Sequence, residues 1–433
     1  ARSLGVDVIV TDHHTLHGDL PECIIVNPML AADVAPSLGT LAGAGVAFYL
    51  AEALLSHPER PLPIGASAEA LLDLAAIGVV GDVSPLLLQN WALARAGLAR
   101  LRTQPQPGLR ALLAQAGIVA AYLTERDISF SLAPRLNAAA RLGEPLTALT
   151  LLICDDPAEA QRLAARLEDL NKRRQQITDE VMEQARFQAL AQRANGDGRS
   201  TPQILFVRGE RWPLGIIGLV AGRLAEEFGC PAITLSCDDV ECRGSGRGPE
   251  GVNLVAALAS RPEFFRRFGG HERAAGFTLA LDQVEPLQTY LLEHLASILP
   301  TTSIEEGAKP LEVDCRLPLS RLTGETYQAI RALAPFGAEF PEPRFVCYGA
   351  RIMRCWRSGV EGRNLRVVLR DQTGERVFLW PRQGEIADAL RLALPKTPML
   401  DVVYTVDAFH RRDGAPELLL RILAMRPAVS LPV

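Results

Sequence analysis

The chain has 433 residues, 48% apolar and 22% charged, with a formal net charge of −5. That length leads us to expect about three domains, and the composition excludes a disordered chain. The longest uncharged run, Val34 to Ala51, is interrupted by Pro36, Gly39, Gly43 and Gly45, so it reads as a buried core segment and not as a membrane span.

The acidic balance gives no general affinity for nucleic acid, but it is uneven. Residues 305–433 carry 19 basic and 16 acidic side chains, against 26 and 34 in residues 1–304. Eight cysteines are scattered with no C-x-x-C pair, which argues against a zinc ribbon and a disulfide scaffold and is consistent with a reducing cytoplasm. The opening Ala1-Arg2-Ser3-Leu4-Gly5 reads as a helix end running into a strand, so the chain is expected to begin in mid-domain.

In chain order, Val6–Thr11 is a β-branched run delivering Asp12-His13-His14 at its carboxyl end, where open parallel sheets bind ligands. Cys23–Pro28 is a second short strand, Gly45–Leu55 is helical, and Leu71–Val80 is apolar almost throughout. We read Ala76–Pro85 as an apolar strand whose only charge is Asp82. From Asp156-Pro157 to Ala194 neither glycine nor proline appears, predicting a helical rod of about 55 Å that joins two domains and ends at Asn195-Gly196-Asp197-Gly198. Gln203–Val207, a helix over Gly215–Phe228 and Ala232–Leu235 form a second α/β unit ending near Pro300. Beyond it come short β-rich runs, Leu365–Leu369, Arg376–Trp380, Leu400–Val406 and Leu418–Ile422, with turns at Gly362, Thr373-Gly374 and Asp413-Gly414. They predict a small barrel or sandwich.

Imidazole and carboxylate together in Asp12-His13-His14 suit Mn²⁺, Zn²⁺ or Fe²⁺ better than Ca²⁺. Neighbours on a strand face opposite ways, so His13 and His14 are not expected to share one metal face; one ligates while the other faces substrate or core. The alternative is a capping Asp followed by two surface histidines. Asp82 is likewise either a cap or a ligand. Arg243-Gly244-Ser245-Gly246-Arg247-Gly248 is neither a P-loop nor a dinucleotide fingerprint, but its amides, hydroxyl and guanidinium forks suit phosphate in a glycine-rich turn. In residues 351–382 eight arginines and three acidic residues are interleaved with Trp356, Phe378 and Trp380, a pattern fitting single-stranded nucleic acid. Trp380 is expected in the core.

Asp12-His13-His14 with Gly78-Val79-Val80-Gly81-Asp82-Val83-Ser84-Pro85-Leu86 resembles the third and fourth motifs of the DHH phosphoesterase superfamily. Ala133-Pro134-Arg135-Leu136-Asn137-Ala138-Ala139-Ala140-Arg141-Leu142 is similar to a segment of its RecJ branch, with Ala140 replacing a glycine. Gly215–Arg223, Ser245-Gly246-Arg247 and Gly269-Gly270-His271-Glu272-Arg273-Ala274-Ala275-Gly276-Phe277 look like the DHH-associated domain, DHHA1. Pro335-Phe336-Gly337 with Pro341–Phe345 resembles the entry to an OB domain.

The resemblance implies an α/β protein: a truncated DHH parallel-sheet domain over 1–155, a connecting helix over 156–195, a DHH-associated domain over 200–300 and an OB β-barrel over 305–433. It implies 5′-to-3′ exonuclease action on single-stranded DNA, in repair and recombination, by hydrolysis with two Mn²⁺ or Mg²⁺ ions. His13 and Asp82 would ligate metal, Asp12 would orient them, and His14 would contact the scissile phosphate. Ser245, Arg247, Arg243, His271, Gly270, Arg135, Asn137 and Arg141 would contact DNA, with Ser245 and Arg247 taking the 5′-phosphate. A single-strand-binding protein or a helicase is an implied partner, in the cytoplasm with no membrane. The family's aspartate motifs ahead of Asp-His-His have no counterpart in the first eleven residues, so the 433 residues alone are expected to lack activity. The rival readings are a small-substrate DHH phosphoesterase cleaving oligoribonucleotides or phosphoadenosine phosphate, and a catalytically inactive DNA-binding scaffold.

Overall fold

The computed structural model describes residues 1–16, 19–33, 35, 38–57, 67–195, 204–249, 252–298, 311–394, 398–409 and 417–428. The chain divides into two compact units, one formed by residues 1–133 with 309–433 and the other by residues 134–308. The turns expected at Gly196–Gly198 and Asp413-Gly414 lie outside the described residues.

In the first unit β1 (Ile9–Thr11) runs parallel to β2 (Ile24–Val26), pairing Ile9 with Ile24 and Thr11 with Val26. Helices follow: α1 (Gly43–Leu55), α2 (Leu72–Gly81), α3 (Leu88–Thr103), α4 (Pro107–Gln115) and the single turn α5 (Glu125–Asp127), which leads into a π-helical turn over Ile128–Leu132. The apolar run before Asp82 is therefore helix α2, not the expected strand. Periodicity does not separate a buried helix from a buried strand when nearly every position is apolar, and α2 is enclosed on all sides, with Ala75, Ala76, Ile77, Val79 and Val80 buried. Glycine lets it pack so closely: a Cβ at Gly78 would lie 2.2 Å from the Ala44 Cβ, and one at Gly97 would lie 2.1 Å from the Leu72 carbonyl oxygen. Asp73, fully buried, accepts hydrogen bonds from the Leu74 and Gln106 amides at 2.9 and 3.1 Å, so the charge is held by donors.

The second unit opens with α6 (Ala133–Arg141, all but Ala133 in this unit), α7 (Pro145–Leu152) and the 39-residue α8 (Pro157–Asn195), about 58 Å long. The proline-bounded segment with Arg135, Asn137 and Arg141, read as a loop, is helix α6. The rod, read as a joint between domains, packs first on α7 and then on α9 (Leu214–Phe228) and β3 (Leu205–Glu210). Gly229, at φ +67°, ends α9 in the left-handed conformation glycine tolerates. A five-stranded sheet is completed by β4 (Ala232–Cys237), β5 (Glu241–Arg247), β6 (Arg267–His271) and β7 (Ala274–Ala280), in the order β3-β4-β5-β7-β6. Only β3 and β4 are parallel. One face is covered by α8 and α9, the other by α10 (Leu254–Ala259) and α11 (Val284–Ile298). Arg243–Arg247, read as a glycine-rich turn, is strand β5: Gly244 and Gly246 fill its buried positions, where a Cβ at Gly244 would meet the Phe277 ring at 2.2 Å. Cys237 and Cys242 face each other across β4–β5 and form a disulfide. That pairing departs from the expected free thiols, because a five-residue spacing in sequence becomes a cross-strand neighbour only once the hairpin forms.

Back in the first unit, α11 is followed by β8 (Cys315–Arg316), α12 (Gly324–Arg331), β9 (Phe345–Ser358), β10 (Asn364–Arg370), β11 (Glu375–Trp380), α13 (Ala387–Ala393), β12 (Leu400–Phe409) and β13 (Glu417–Pro427). Strands β10-β11-β13-β12-β9 close through a β9–β10 pairing into a five-stranded barrel, with β8 added to β9. Closure removes exposed edges. Tyr404 and Phe378 are fully buried in its core, ring to edge at 5.1 Å, and the Tyr404 hydroxyl donates to the Leu317 carbonyl at 2.6 Å. The helical layer holds the barrel by a buried bidentate pair, Arg331 to Glu125 at 2.7 Å for both bonds, and by the Leu86 amide on the Ala338 carbonyl at 2.9 Å. No described helix is long and apolar enough to cross a membrane.

Candidate active site and nucleic-acid interface

β1 stops at Thr11, and the Asp12 amide still donates to the Val26 carbonyl at 3.1 Å. His13 and His14 lie beyond the pleat, so strand alternation does not govern them. Their rings are 4.4 Å apart, and ligand atoms of Asp12, His13 and His14 lie within 4.8 Å of one another, which corrects the expectation that the two imidazoles face apart. Asn27 pins the turn by donating to the His14 carbonyl at 3.1 Å while accepting from the Met29 amide at 2.9 Å. The His13 ring lies against Gly43 at the start of α1, where a Cβ would stand 3.2 Å from Nδ1.

His13 is the hinge of the site. Its Nδ1 is 3.7 Å from Asp12 Oδ1, and its Nε2 is 3.6 Å from Oδ2 of Asp82, the residue that caps α2. Ser84 donates to the same Asp82 oxygen at 3.3 Å. His14 Nδ1 is 2.8 Å from Asp12 Oδ1, leaving its exposed Nε2 toward solvent. That hydrogen bond is the main reason the Asp12 carboxyl is held below the usual carboxylate range. Two imidazoles and two carboxylates, all at least partly exposed, form a mixed nitrogen and oxygen donor set that fits a divalent ion such as Mn²⁺.

A second constellation lies on the sheet of the other unit. Arg243, Ser245 and Arg247 alternate with buried residues along β5 and so share one face. Register extends that face across β7 and β6 in three rows: Arg243–Thr278–Arg267, Ser245–Gly276–Gly269 and Arg247–Ala274–His271. His271 is thus on the face of Arg247, two strands away. Gly270 points to the opposite side; its φ of +146° and a Cβ position 2.1 Å from the Ala274 carbonyl oxygen make it a backbone position that only glycine fills easily.

A cavity of about 430 Å³ opens between this face, α9 and Arg141 at the end of α6. Gly218 allows the approach: a Cβ there would be 3.2 Å from both Ser245 Oγ and Arg247 Nη2. Arg247 donates to Ser245 Oγ at 3.1 Å and to the Gly246 carbonyl at 2.8 Å, and Arg141 donates to the Gly215 carbonyl at 2.9 Å. Burial lowers the pKa of Arg247, and the like charge of Arg141 adds to the effect. Among the described residues no carboxylate pairs with either. The first turn of α9, with its free amides and positive dipole end, lines the same cavity. The arrangement is poised for an anion.

Not every expected contact joins this cavity. Arg135 is engaged by Glu168 at 2.6 Å, while Asn137 is exposed on α6. Sequence reasoning missed Gly43 and Arg267, which show no signal beyond a glycine in an apolar run and one arginine among several. On the barrel, Phe378 is buried and Trp380 packs against the core, as expected for the latter, whereas Trp356 is exposed. Trp356 is in register with Arg366, and Arg354 lies two residues along β9 on the same outer face.

Residues 201–297 match the DHHA1 domain model and residues 313–418 the RecJ OB domain model. A solved structure of manganese-bound exonuclease RecJ is 34% identical, with 67% of this chain and 70% of that one covered and a TM-score of 0.54. The chain belongs to the RecJ family. RecJ of Thermus thermophilus, solved in complex with Mn²⁺, superposes with a TM-score of 0.78 at 29% identity, over 99% of this chain and 59% of that one. The single-stranded-DNA-specific exonucleases RecJ of Bacillus subtilis and Escherichia coli are 35% and 37% identical, covering 90% and 80% of this chain. The chain spans 48% and 61% of the length of those two RecJ proteins.

Proposed function

We propose that this chain serves 5′-to-3′ exonucleolytic hydrolysis of single-stranded DNA in repair and recombination. Residues 1–155 would be the carboxyl part of the DHH domain, 156–195 the connecting helix, 200–300 the DHH-associated domain and 305–433 the nucleic-acid-binding OB domain. The observation that carries the reading is that Asp12 and Asp82, brought from a strand end and a helix end, converge on the two nitrogens of His13. His13 and Asp82 would hold Mn²⁺ or Mg²⁺. Bound divalent ions supply an acidified water and neutralise charge on the phosphoryl group in the transition state. Asp12 fixes both imidazoles, and His14 offers its solvent-facing Nε2 to a scissile phosphate.

The unneutralised guanidiniums of Arg247 and Arg141, with Ser245, suit a terminal 5′-phosphate: a dianion gains more from two cations than an internal monoanionic diester does. Arg243 and His271 flank that pocket on the same face, Gly270 shapes the strand beside it, and Arg135 and Asn137 are further candidate DNA contacts on α6. A single-strand-binding protein or a helicase would be the partner, and a cytoplasmic setting suits the six free cysteines.

The test compares oligonucleotides that differ only in a 5′-phosphate or 5′-hydroxyl. Cleavage is followed in a chimera supplying those parts of the Thermus relative that this chain does not span. Asp82→Ala and His13→Ala should abolish cleavage and leave DNA binding intact, and Arg247→Ala should erase the preference for the phosphorylated end. Undiminished cleavage by Asp82→Ala would overturn the metal assignment.

A further inference from the structure

The buried stripe of α8 contains a polar step. Leu163, Leu167 and Leu170 are buried on its first half and Val181, Met182 and Ala185 on its last. Between them the stripe carries Asn171, 3% exposed, Arg174, and Thr178, fully buried. Polar groups in such a place cost free energy unless each has a partner. Two of the three are spent on the third: Arg174 Nη2 donates to Asn171 Oδ1 at 2.5 Å, and the Thr178 hydroxyl donates to the Arg174 carbonyl at 2.6 Å. Arg174 Nε is buried with no hydrogen-bond partner.

The charge of Arg174 is also unspent. Arg141 and Arg223 act on it as like charges, and Asp179, which attracts it, is already paired with Arg223 at 2.9 Å. Arg141 acts in the same way on Arg247. The half-buried guanidiniums therefore form a line, Arg247–Arg141–Arg174, in which Arg141 is the shared neighbour. Holding like charges together out of water is unfavourable unless an anion relieves it.

We propose that Arg174, oriented by Asn171, binds the internal phosphate next to the terminal one, so that the site grips two consecutive phosphates of the strand. The inference rests on the assignment of Ser245 and Arg247 to the terminal 5′-phosphate. Arg174 takes the second position because it lies beyond Arg141 and does not line the cavity that Ser245 and Arg247 do.

Binding to the 433-residue protein, measured in EDTA, tests this with three probes: thymidine 5′-monophosphate, a short 5′-phosphorylated oligothymidylate and its 5′-hydroxyl twin. Arg174→Ala should weaken both oligonucleotides about tenfold, reduce the slope of log affinity against log salt by about 0.7, and leave mononucleotide binding unchanged. Arg174→Lys, which keeps the charge without the fork, should restore the slope and only part of the affinity. Unchanged oligonucleotide binding by Arg174→Ala would overturn the proposal, as would equal loss of mononucleotide and oligonucleotide. If Arg174→Ala fails to fold, Arg174→Lys with unaltered oligonucleotide affinity would overturn it. Failure of the underlying terminal-phosphate reading appears separately, as an Arg247→Ala protein that still prefers the phosphorylated twin.

Discussion

His13 owes its place to an absence: Gly43 has no side chain where the imidazole rests, 3.2 Å from the position of a Cβ. Gly43→Ala should therefore displace the ring by a few tenths of an ångström with little effect on folding. We expect Mn²⁺ affinity, titrated by electron paramagnetic resonance, to drop about tenfold, the scale seen when a ligand's supporting neighbour is altered, and the melting temperature to hold. Unchanged Mn²⁺ affinity would show that His13 is not positioned by α1. Asn27 acts from the other side, through the His14 carbonyl. Asp12-His13-His14 was legible in the sequence as a donor-rich strand end. Its clustering was not, because the alternation rule applies inside a strand and the pair lies just past one.

Among elements, the α1–α2 contact decides where Asp82 stands. Gly78 lies one turn before it, and a Cβ there would be 2.2 Å from that of Ala44. Gly78→Ala should push the helices apart at a cost of about 1–3 kcal/mol, read by thermal melting. The double variant Gly78→Ala with Ala44→Gly removes the clash and should recover most of the loss; no recovery would mean that the contact does not limit α2. Helix α2 was misread as a strand because its ten apolar residues carry no period. The long α8 was legible from its lack of glycine and proline, and its packing was not, since partners on α7, α9 and β3 come from distant sequence. β5 was misread because glycines at alternate positions look like a turn until Phe277 and Leu235 are seen filling the space they leave.

At the scale of the molecule, the helical layer and the barrel of the first unit are joined by Glu125 and Arg331, 3% and 17% exposed. Burial alone would raise the Glu125 pKa, but the Arg331 hydrogen bonds hold it below the usual value. Removing one partner, as in Arg331→Met, should cost about 3–5 kcal/mol because it strands a buried charge. A carboxyl with a depressed folded-state pKa contributes stability above its ordinary value of about 4.3 and loses it as pH falls through the folded value. The gap in stability between wild type and Glu125→Gln should therefore be full at pH 7 and shrink below about pH 4. A gap independent of pH would assign the loss to packing. The outer face of the barrel gives a further expectation: Trp356→Ala should weaken single-stranded DNA binding by about 1–3 kcal/mol, measured by fluorescence anisotropy, with the preference for a 5′-phosphate unchanged. Undiminished binding would place the strand on another face.

Local order in the chain was enough to announce an α/β protein ending in a β-barrel, because periodicity, turn residues and helix breakers act over neighbouring positions. It also announced the ordered motifs Asp12-His13-His14, Ser245-Gly246-Arg247 and Gly269-Gly270-His271, because the chemistry of a side chain is written in its identity. Only the tertiary structure decided which of these meet. It brought Asp82 from a helix end to His13, set His271 on the face of Arg247 through the β5–β7–β6 register, and paired Cys237 with Cys242. It also left Arg141, Arg174 and Arg247 as half-buried neighbours without a carboxylate. The physical reason is that charge, burial and register depend on distances between residues far apart in sequence, and those distances exist only after the glycines have let the elements close on one another.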